Sequence, residues 1–135
     1  MTATGAPACW GSNSNGQASP APTWLVGAYR QVDLGAFHGC GILANGSGTC
    51  WGYSGTSATS VSGGSWIAIS SGERYSCGLR PNGQLACWGG GMAGVTPPTG
   101  AFKALASGSN HACAIRDSGE LACWGSNAYG QTAAQ

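Results

Sequence analysis

The sequence predicts an all-β protein of short strands written several times along one chain. Three observations carry that reading. Gly35, Gly72 and Gly108 recur at spacings of 37 and 36 residues, a period found in propellers and solenoids. After each of them stands the same frame of two short alternating runs around a glycine turn, the mark of a β-hairpin. No 3.6-residue periodicity is sustained, and Gly or Pro interrupts so often that a helix has nowhere to form.

Taken in order, residues 1–8 are a small-residue leader without periodicity, expected to be disordered. Cys9-Trp10-Gly11 through Gly16-Gln17 then matches Cys123-Trp124-Gly125 through Gly130-Gln131, so the chain enters at the end of a repeat. The proline-rich Ser19–Thr23 and Thr96–Thr99 and the Ser/Thr/Gly-rich Thr56–Ser65 are connectors, since such stretches make no central strand. A strand is expected at Tyr29–Leu34, at Trp66–Ser70 and at Phe102–Ala106, each opening on an aromatic residue. Hairpins follow over 38–52, 75–89 and 111–125. The repeat domain is 9–131, divided into a partial repeat 9–17 and repeats at about 24–53, 66–91 and 102–131, with 132–135 as a tail.

The hairpin turns have a mechanism. Ala44-Asn45-Gly46, Pro81-Asn82-Gly83 and Asp117-Ser118-Gly119 fit the three-residue loop in which a type I turn is closed by a residue with positive φ, supplied by glycine. Two cysteines stand ten residues apart in every hairpin, centred on the turn: Cys40 and Cys50, Cys77 and Cys87, Cys113 and Cys123. If the pair flanking the loop is hydrogen-bonded, alternation makes each cysteine pair a non-hydrogen-bonded one with Cα atoms about 4.5 Å apart, close enough for a disulfide. Cys9 is the odd cysteine, because the position ten residues before it precedes Met1.

Composition narrows the function. Leu, Ile, Val and Phe together number 17, which is little core material, while six Trp and four Tyr supply bulk and 25 Gly raise the cost of ordering the backbone. Such a chain needs repetition or cross-links. Nine scattered charges and a net charge of +1 provide no basic stripe for nucleic acid. No apolar run is long enough to span a membrane, and Met1–Ala8 lacks the charged and apolar regions of a signal peptide. Six cysteines in registered pairs point to an oxidising, extracellular location.

The frame aromatic, aliphatic, Gly, His-x-Cys-x-aliphatic, glycine turn, Cys-Trp-Gly and Asn-x-x-Gly-Gln, with Pro-Pro in a connector, resembles the regulator of chromosome condensation type repeat. It is most similar to the cysteine-containing bacterial and secreted version and to the extracellular repeats of plant crinkly-type receptor kinases. The resemblance covers 9–131 and departs at Tyr75, which takes the His place in the second copy. It implies β-propeller blades, one four-stranded blade per repeat and usually seven to a ring. Three repeats and a fraction then close only by oligomerisation or as part of a longer chain, which makes a homo-oligomer or filament the expected partner state.

The side chains offer no catalytic set. Asp33, Glu73, Asp117 and Glu120 are dispersed, no serine has a histidine and an elbow motif around it, and the glycine runs lack the Lys-Ser/Thr of a phosphate loop. His38 and His111 precede a cysteine by two, but the cysteines are paired and Tyr75 replaces the histidine, so packing is expected and no metal or cofactor. Trp10, Trp51, Trp88 and Trp124 share one repeat position and are read as packing between blades, whereas Trp24 lies off the repeat as a ligand-contact candidate. Asn45 heads the sequon Asn45-Gly46-Ser47 on a turn and is a candidate glycosylation site, and Cys9 is a candidate intermolecular cysteine. The reading is a non-enzymatic secreted module binding a protein or glycan through connectors such as Ser54–Ser65 and Gly90–Thr99; the alternative is a self-assembling structural subunit. Peptide mapping without reductant should return Cys40–Cys50, Cys77–Cys87 and Cys113–Cys123, each worth near the low end of about 2–4 kcal/mol; pairs between repeats would overturn the hairpin register.

Overall fold

The structure, a computed structural model, describes residues 8–19, 28–53, 55, 61–90, 96–127, 130 and 132. Nine strands lie in three antiparallel sheets: β1 (Tyr29–Leu34), β2 (His38–Leu43) and β3 (Gly48–Gly52); β4 (Ala68–Ser71), β5 (Tyr75–Leu79) and β6 (Leu85–Gly89); β7 (Phe102–Ser107), β8 (His111–Arg116) and β9 (Leu121–Gly125). Each sheet is a meander in chain order. Where the family resemblance implies four strands per blade, the described residues form three in each.

The turns form as the glycines require. The Arg116 N–H donates to the Glu120 carbonyl at 2.8 Å and the Gly119 N–H to the Arg116 carbonyl at 2.9 Å, with Gly119 at φ 96°. Leu43 with Ser47 and Arg80 with Gln84 repeat the first bond, and Gly46 and Gly83 repeat the positive φ. Counting outward from these bonded pairs puts the cysteines opposite one another in non-bonded positions, and all three are joined as disulfides with Cα atoms 4.0 Å apart. That is shorter than the roughly 4.5 Å expected for a non-hydrogen-bonded pair.

The sequence does not announce a bulge, and the structure has one in the first strand of the outer two repeats. Register shifts between Tyr29 and Gln31 and between Phe102 and Ala104, so Arg30 and Lys103 turn outward. Ile67 occupies the same slot in the middle repeat and is exposed, and there the strand begins at Ala68 instead of at Trp66 as expected. Trp66 is held otherwise. Its N–H donates to the Gly46 carbonyl at 2.9 Å, just as the Phe102 N–H donates to the Gly83 carbonyl at 3.0 Å, so each aromatic is tied to the turn of the preceding blade.

Packing follows from where small residues fall. In β2, β5 and β8 the positions facing the preceding blade are Gly39 and Gly41, Ser76 and Gly78, and Ala112 and Ala114. Aromatic rings lie flat on this floor: a Cβ at Gly39 would stand 2.7 Å from the Trp51 ring, at Gly41 2.7 Å from Tyr29, and at Gly78 2.4 Å from Trp66. The opposite face carries the disulfide and an aliphatic residue, and it presses on the next blade's aromatics. Cys40 and Ile42 pack with Trp66, Ile69 and Trp88, while Tyr75, Cys77 and Leu79 pack with Phe102, Ala112, Ala114 and Trp124. Trp51 and Trp124 are buried and Trp88 is half-buried, 5.3 Å from Trp66 between ring centroids. Trp10 departs from the expected packed position and is exposed: among the described residues no strand pairs with its segment to close over the ring.

The periodic glycines sit where blades converge. A Cβ at Gly35 would lie 2.2 Å from the Gly72 carbonyl oxygen, and one at Gly72 would lie 2.7 Å from the Gly108 carbonyl oxygen and 2.0 Å from the Tyr75 ring. That ring cannot yield, because its hydroxyl donates to the Gly108 and His111 carbonyls. Gly72→Ala should therefore destabilise the fold by about 1–3 kcal/mol in a urea titration, while Gly63→Ala, whose Cβ meets nothing within 4 Å, should change it by less than about 0.5 kcal/mol.

Candidate functional site

Each blade's first strand ends at a periodic glycine, and two residues then bridge to the second strand: Ala36-Phe37, Glu73-Arg74 and Ser109-Asn110. These pairs do not repeat in type, although the residues on both sides of them do. The structure brings them to one end of the sheets, along with the residues that follow β3, β6 and β9. Short backbone bonds fix the loops to one another: Tyr53 N–H to the Phe37 carbonyl at 2.9 Å, Gly90 N–H to the Arg74 carbonyl at 3.1 Å, Glu73 N–H to the Ser109 carbonyl at 3.0 Å and Ser126 N–H to the Asn110 carbonyl at 2.8 Å.

At the blade 1 to blade 2 junction this loop face gathers two aromatic rings and a guanidinium. The Phe37 and Tyr53 rings meet edge to face at 6.5 Å, and the Arg74 guanidinium carbon stands 5.7 Å from the Phe37 centroid, within reach of a cation–π contact. Glu73 pairs with Arg74 at 3.8 Å, exposed to solvent, and so adds little stability. Asn15 completes an open cleft of about 180 Å³ with Phe37, Tyr53 and Arg74. Exposed aromatic carbon beside a guanidinium and a carboxamide can bind apolar and hydrogen-bonding groups together, as interface hot spots do.

A second cleft, about 280 Å³, opens on the outward face of blade 1 between Cys9, Trp10 and Gln17 and the sheet residues Val32, Leu34 and His38 with Gly35. The Trp51 indole N–H donates to the Gln17 carbonyl at 3.1 Å and holds the entering segment on the sheet. Cys9 is a half-buried free thiol there. His38 is buried, with Nε2 2.7 Å from the Ser76 hydroxyl of the next blade and Nδ1 without a partner. Burial holds its pKa below the usual 6.5. Among the described residues no three His, Cys, Asp or Glu side chains gather for a metal.

The remaining sequence candidates fall as follows. Six cysteines are consumed in the hairpins. Asn45 is exposed on its turn, its Oδ1 accepting the Ser47 N–H at 2.9 Å. Trp24 lies outside the described residues, as do residue 54 and 56–60 of the first expected binding connector and 91–95 of the second. Phe37, Tyr53 and Arg74 were missed by the sequence reading. The signal for them was available: a slot of changing residue type framed by a constant glycine and a constant cysteine.

Comparison with known proteins places this geometry. The profile of the Regulator of chromosome condensation (RCC1) repeat matches residues 102–131. The entire ectodomain of the receptor kinase CR4 from Physcomitrella patens superposes on 93% of this chain with a TM-score of 0.75 at 28% identity, and the chain covers 34% of it. The CRINKLY WD40 ectodomain of the Arabidopsis thaliana receptor kinase ACR4 superposes on 92% with a TM-score of 0.73 at 28% identity, the chain covering 45% of it. Prp20p from Saccharomyces cerevisiae shares the fold over 91% of the chain, with a TM-score of 0.72 at 20% identity and 41% of that structure covered. The chain thus spans less than half the length of each, and its three sheets are RCC1-like β-propeller blades in an open array. No curated protein sequence matches it.

The buried His38 gives this architecture a pH dependence. With its folded pKa below 6.5, the unfolded chain binds the extra proton first on acidification, so stability present above pH 6.5 is lost as pH falls below that value. Urea midpoints measured from pH 7.5 to 5.5 should drop with pH, and His38→Gln, which retains a polar partner for Ser76 and cannot titrate, should flatten that slope.

Proposed function

We propose that the chain is a non-enzymatic, secreted β-propeller repeat module that binds a protein ligand through the loop face of Phe37, Tyr53 and Arg74 and acts as an oligomer. The observation that carries the binding reading is the division of labour between positions. Repeated positions are buried in blade packing or, like Arg80 on Trp66 and Arg116 on Phe102, recur from blade to blade, while the cluster of Phe37, Tyr53 and Arg74 uses positions that do not repeat. Three disulfides and the likeness to receptor-kinase ectodomains support an extracellular setting. An aromatic pair beside a guanidinium would also take the face of a sugar, so a glycan is the neighbouring ligand class.

A structural, self-assembling role in a ring or filament is the second reading. It is favoured by large apolar residues left exposed on the outward faces of the first and last blades.

Panning a random-peptide library and a glycan array against the immobilised chain tests the binding reading. Ligands recovered should lose roughly tenfold or more in affinity with Phe37→Ala and with Arg74→Ala, with the fold unchanged by circular dichroism. Recovery of no ligand, or of ligands indifferent to both substitutions, would sink the loop-face assignment.

A further inference from the structure

We propose that the loop face of Phe37, Tyr53 and Arg74 is governed by pH, with His38 as the group that parts blade 1 from blade 2 beneath it when it takes up a proton. The inference rests on the reading of that face as the binding surface and adds its control. The face belongs to two blades. Phe37 and Tyr53 stand on blade 1 and Arg74 on blade 2, so the ring-to-guanidinium contact of 5.7 Å spans the junction. Phe37 and Arg74 are the chain neighbours of His38 and Tyr75, the residues that open β2 and β5. Whatever separates these strands at this edge takes the face apart.

His38 is placed to do so. Its ring is 1% exposed, Nε2 lies 2.7 Å from the Ser76 hydroxyl of blade 2, and Nδ1 has no partner. The neutral ring tolerates this: with the proton assigned to Nε2, the bond to Ser76 is kept and Nδ1 carries a bare lone pair. An imidazolium has a second N–H there, buried without an acceptor, the most costly state for a donor. That edge of the ring lies where the blades converge, since a Cβ at Gly35 would stand 3.1 Å from Nδ1 and 2.2 Å from the Gly72 carbonyl oxygen. Bringing the new N–H to an acceptor or to water therefore moves Gly35 away from Gly72.

The other titratable and charged groups around the ring leave Nδ1 without a partner. Asp33 on β1 faces the same junction, but its Oδ2 accepts the Ser71 N–H, and the Ser71 and Ser76 hydroxyls stand between that bond and the imidazole. Burial raises the Asp33 pKa, so this carboxyl is protonated more readily in the closed junction and resists opening in acid. Tyr75 on β5 gives its hydroxyl to the Gly108 and His111 carbonyls of blade 3, Glu73 and Arg74 pair with each other at the solvent edge, and Cys9 of the entering segment shares the cleft that His38 borders. Cys40 and Cys50 are joined and do not titrate. Burial holds the His38 pKa below 6.5, so the closed junction is fully favoured above pH 6.5 and loses ground as pH falls below it. The next junction is the internal contrast. There Tyr75 stands in the His38 slot and Ala112 in the Ser76 slot, and a phenol gains no proton in this range.

Amide hydrogen exchange on the ligand-free chain tests the junction. The Ser71 N–H crosses from blade 2 to Asp33 and the Ser107 N–H from blade 3 to the Ser70 hydroxyl, so each reports one junction. Between pH 7.5 and 5.5 protection at Ser71, corrected for the intrinsic exchange rate, should fall by roughly tenfold while Ser107 holds. His38→Gln should abolish the fall, as should His38→Tyr combined with Ser76→Ala, which copies the Tyr75 and Ala112 pair of the next junction. Constant protection at Ser71, an equal fall at Ser107, or a fall that survives both variants overturns the proposal. Histidine-free library peptides bound at pH 7.5 should weaken by roughly tenfold at pH 5.5 on the wild type and hold on the variants; wild-type affinity that ignores pH overturns the coupling. Recovery of no peptide sinks the binding reading alone, because the Ser71 amide is read without a ligand.

Discussion

The close approach of successive blades at Gly35, Gly72 and Gly108 is the constraint on which the rest of the structure depends. Gly35 lies against the Gly72 carbonyl oxygen and Gly72 against that of Gly108, at distances that exclude any side chain, and Gly108 itself lies against the His111 ring. Bringing the blades so near at one edge forces their faces together, and each face must then present either a flat ring or a thin layer of atoms. The sequence meets this with small residues in the middle strand and with rings laid over them. The disulfides belong to the same solution. A cystine occupies the width of two short side chains, links the two strands of a hairpin, and brings no unsatisfied polar group to a buried face.

The polar contacts between blades vary more than the apolar ones, and the variation has a pattern. His38 reaches the Ser76 hydroxyl, whereas Tyr75, one blade later in the same slot, reaches the Gly108 and His111 carbonyls. A phenol extends further than an imidazole and acts here as a donor, so it needs backbone acceptors where histidine needs a hydroxyl. Blade 3 has Ala112 in the Ser76 slot, and no hydroxyl is available there for Tyr75 to meet. Residue and partner change together. Arg80 and Arg116 form a second such series: each stacks on the aromatic that opens its own blade, at 3.7 Å over Trp66 and 4.8 Å over Phe102, and donates to a connector carbonyl, Gly63 or Thr99.

What was legible in the sequence was whatever repeats. The register of all three hairpins could be counted from Gly46, Gly83 and Gly119 because a glycine turn and a cysteine pair fix it twice over. The bulges were not legible, since Arg30 and Lys103 are matched in the middle repeat by the apolar Ile67, and a slot whose three residues are all exposed carries no pattern of type. Trp10 was misplaced for a related reason. Its sequence context is that of a packed tryptophan, but packing is a property of the neighbouring hairpin, which Cys9–Gln17 does not itself supply. Phe37 and Arg74 escaped notice because a repeat search discards the positions that differ.

That last failure contains the functional argument. In a repeat fold every position fixed by packing is used again in each blade, and a surface made of such positions would be the same all round. A ligand that is not itself periodic can be distinguished only by residues outside that set. In this chain they are the loop pairs after Gly35, Gly72 and Gly108, held in place by backbone bonds that do not depend on side-chain identity. Phe37 and Arg74 can therefore change without disturbing Gly35, Cys40 or Trp66, and the blades can preserve their packing while the loop face acquires a specificity of its own.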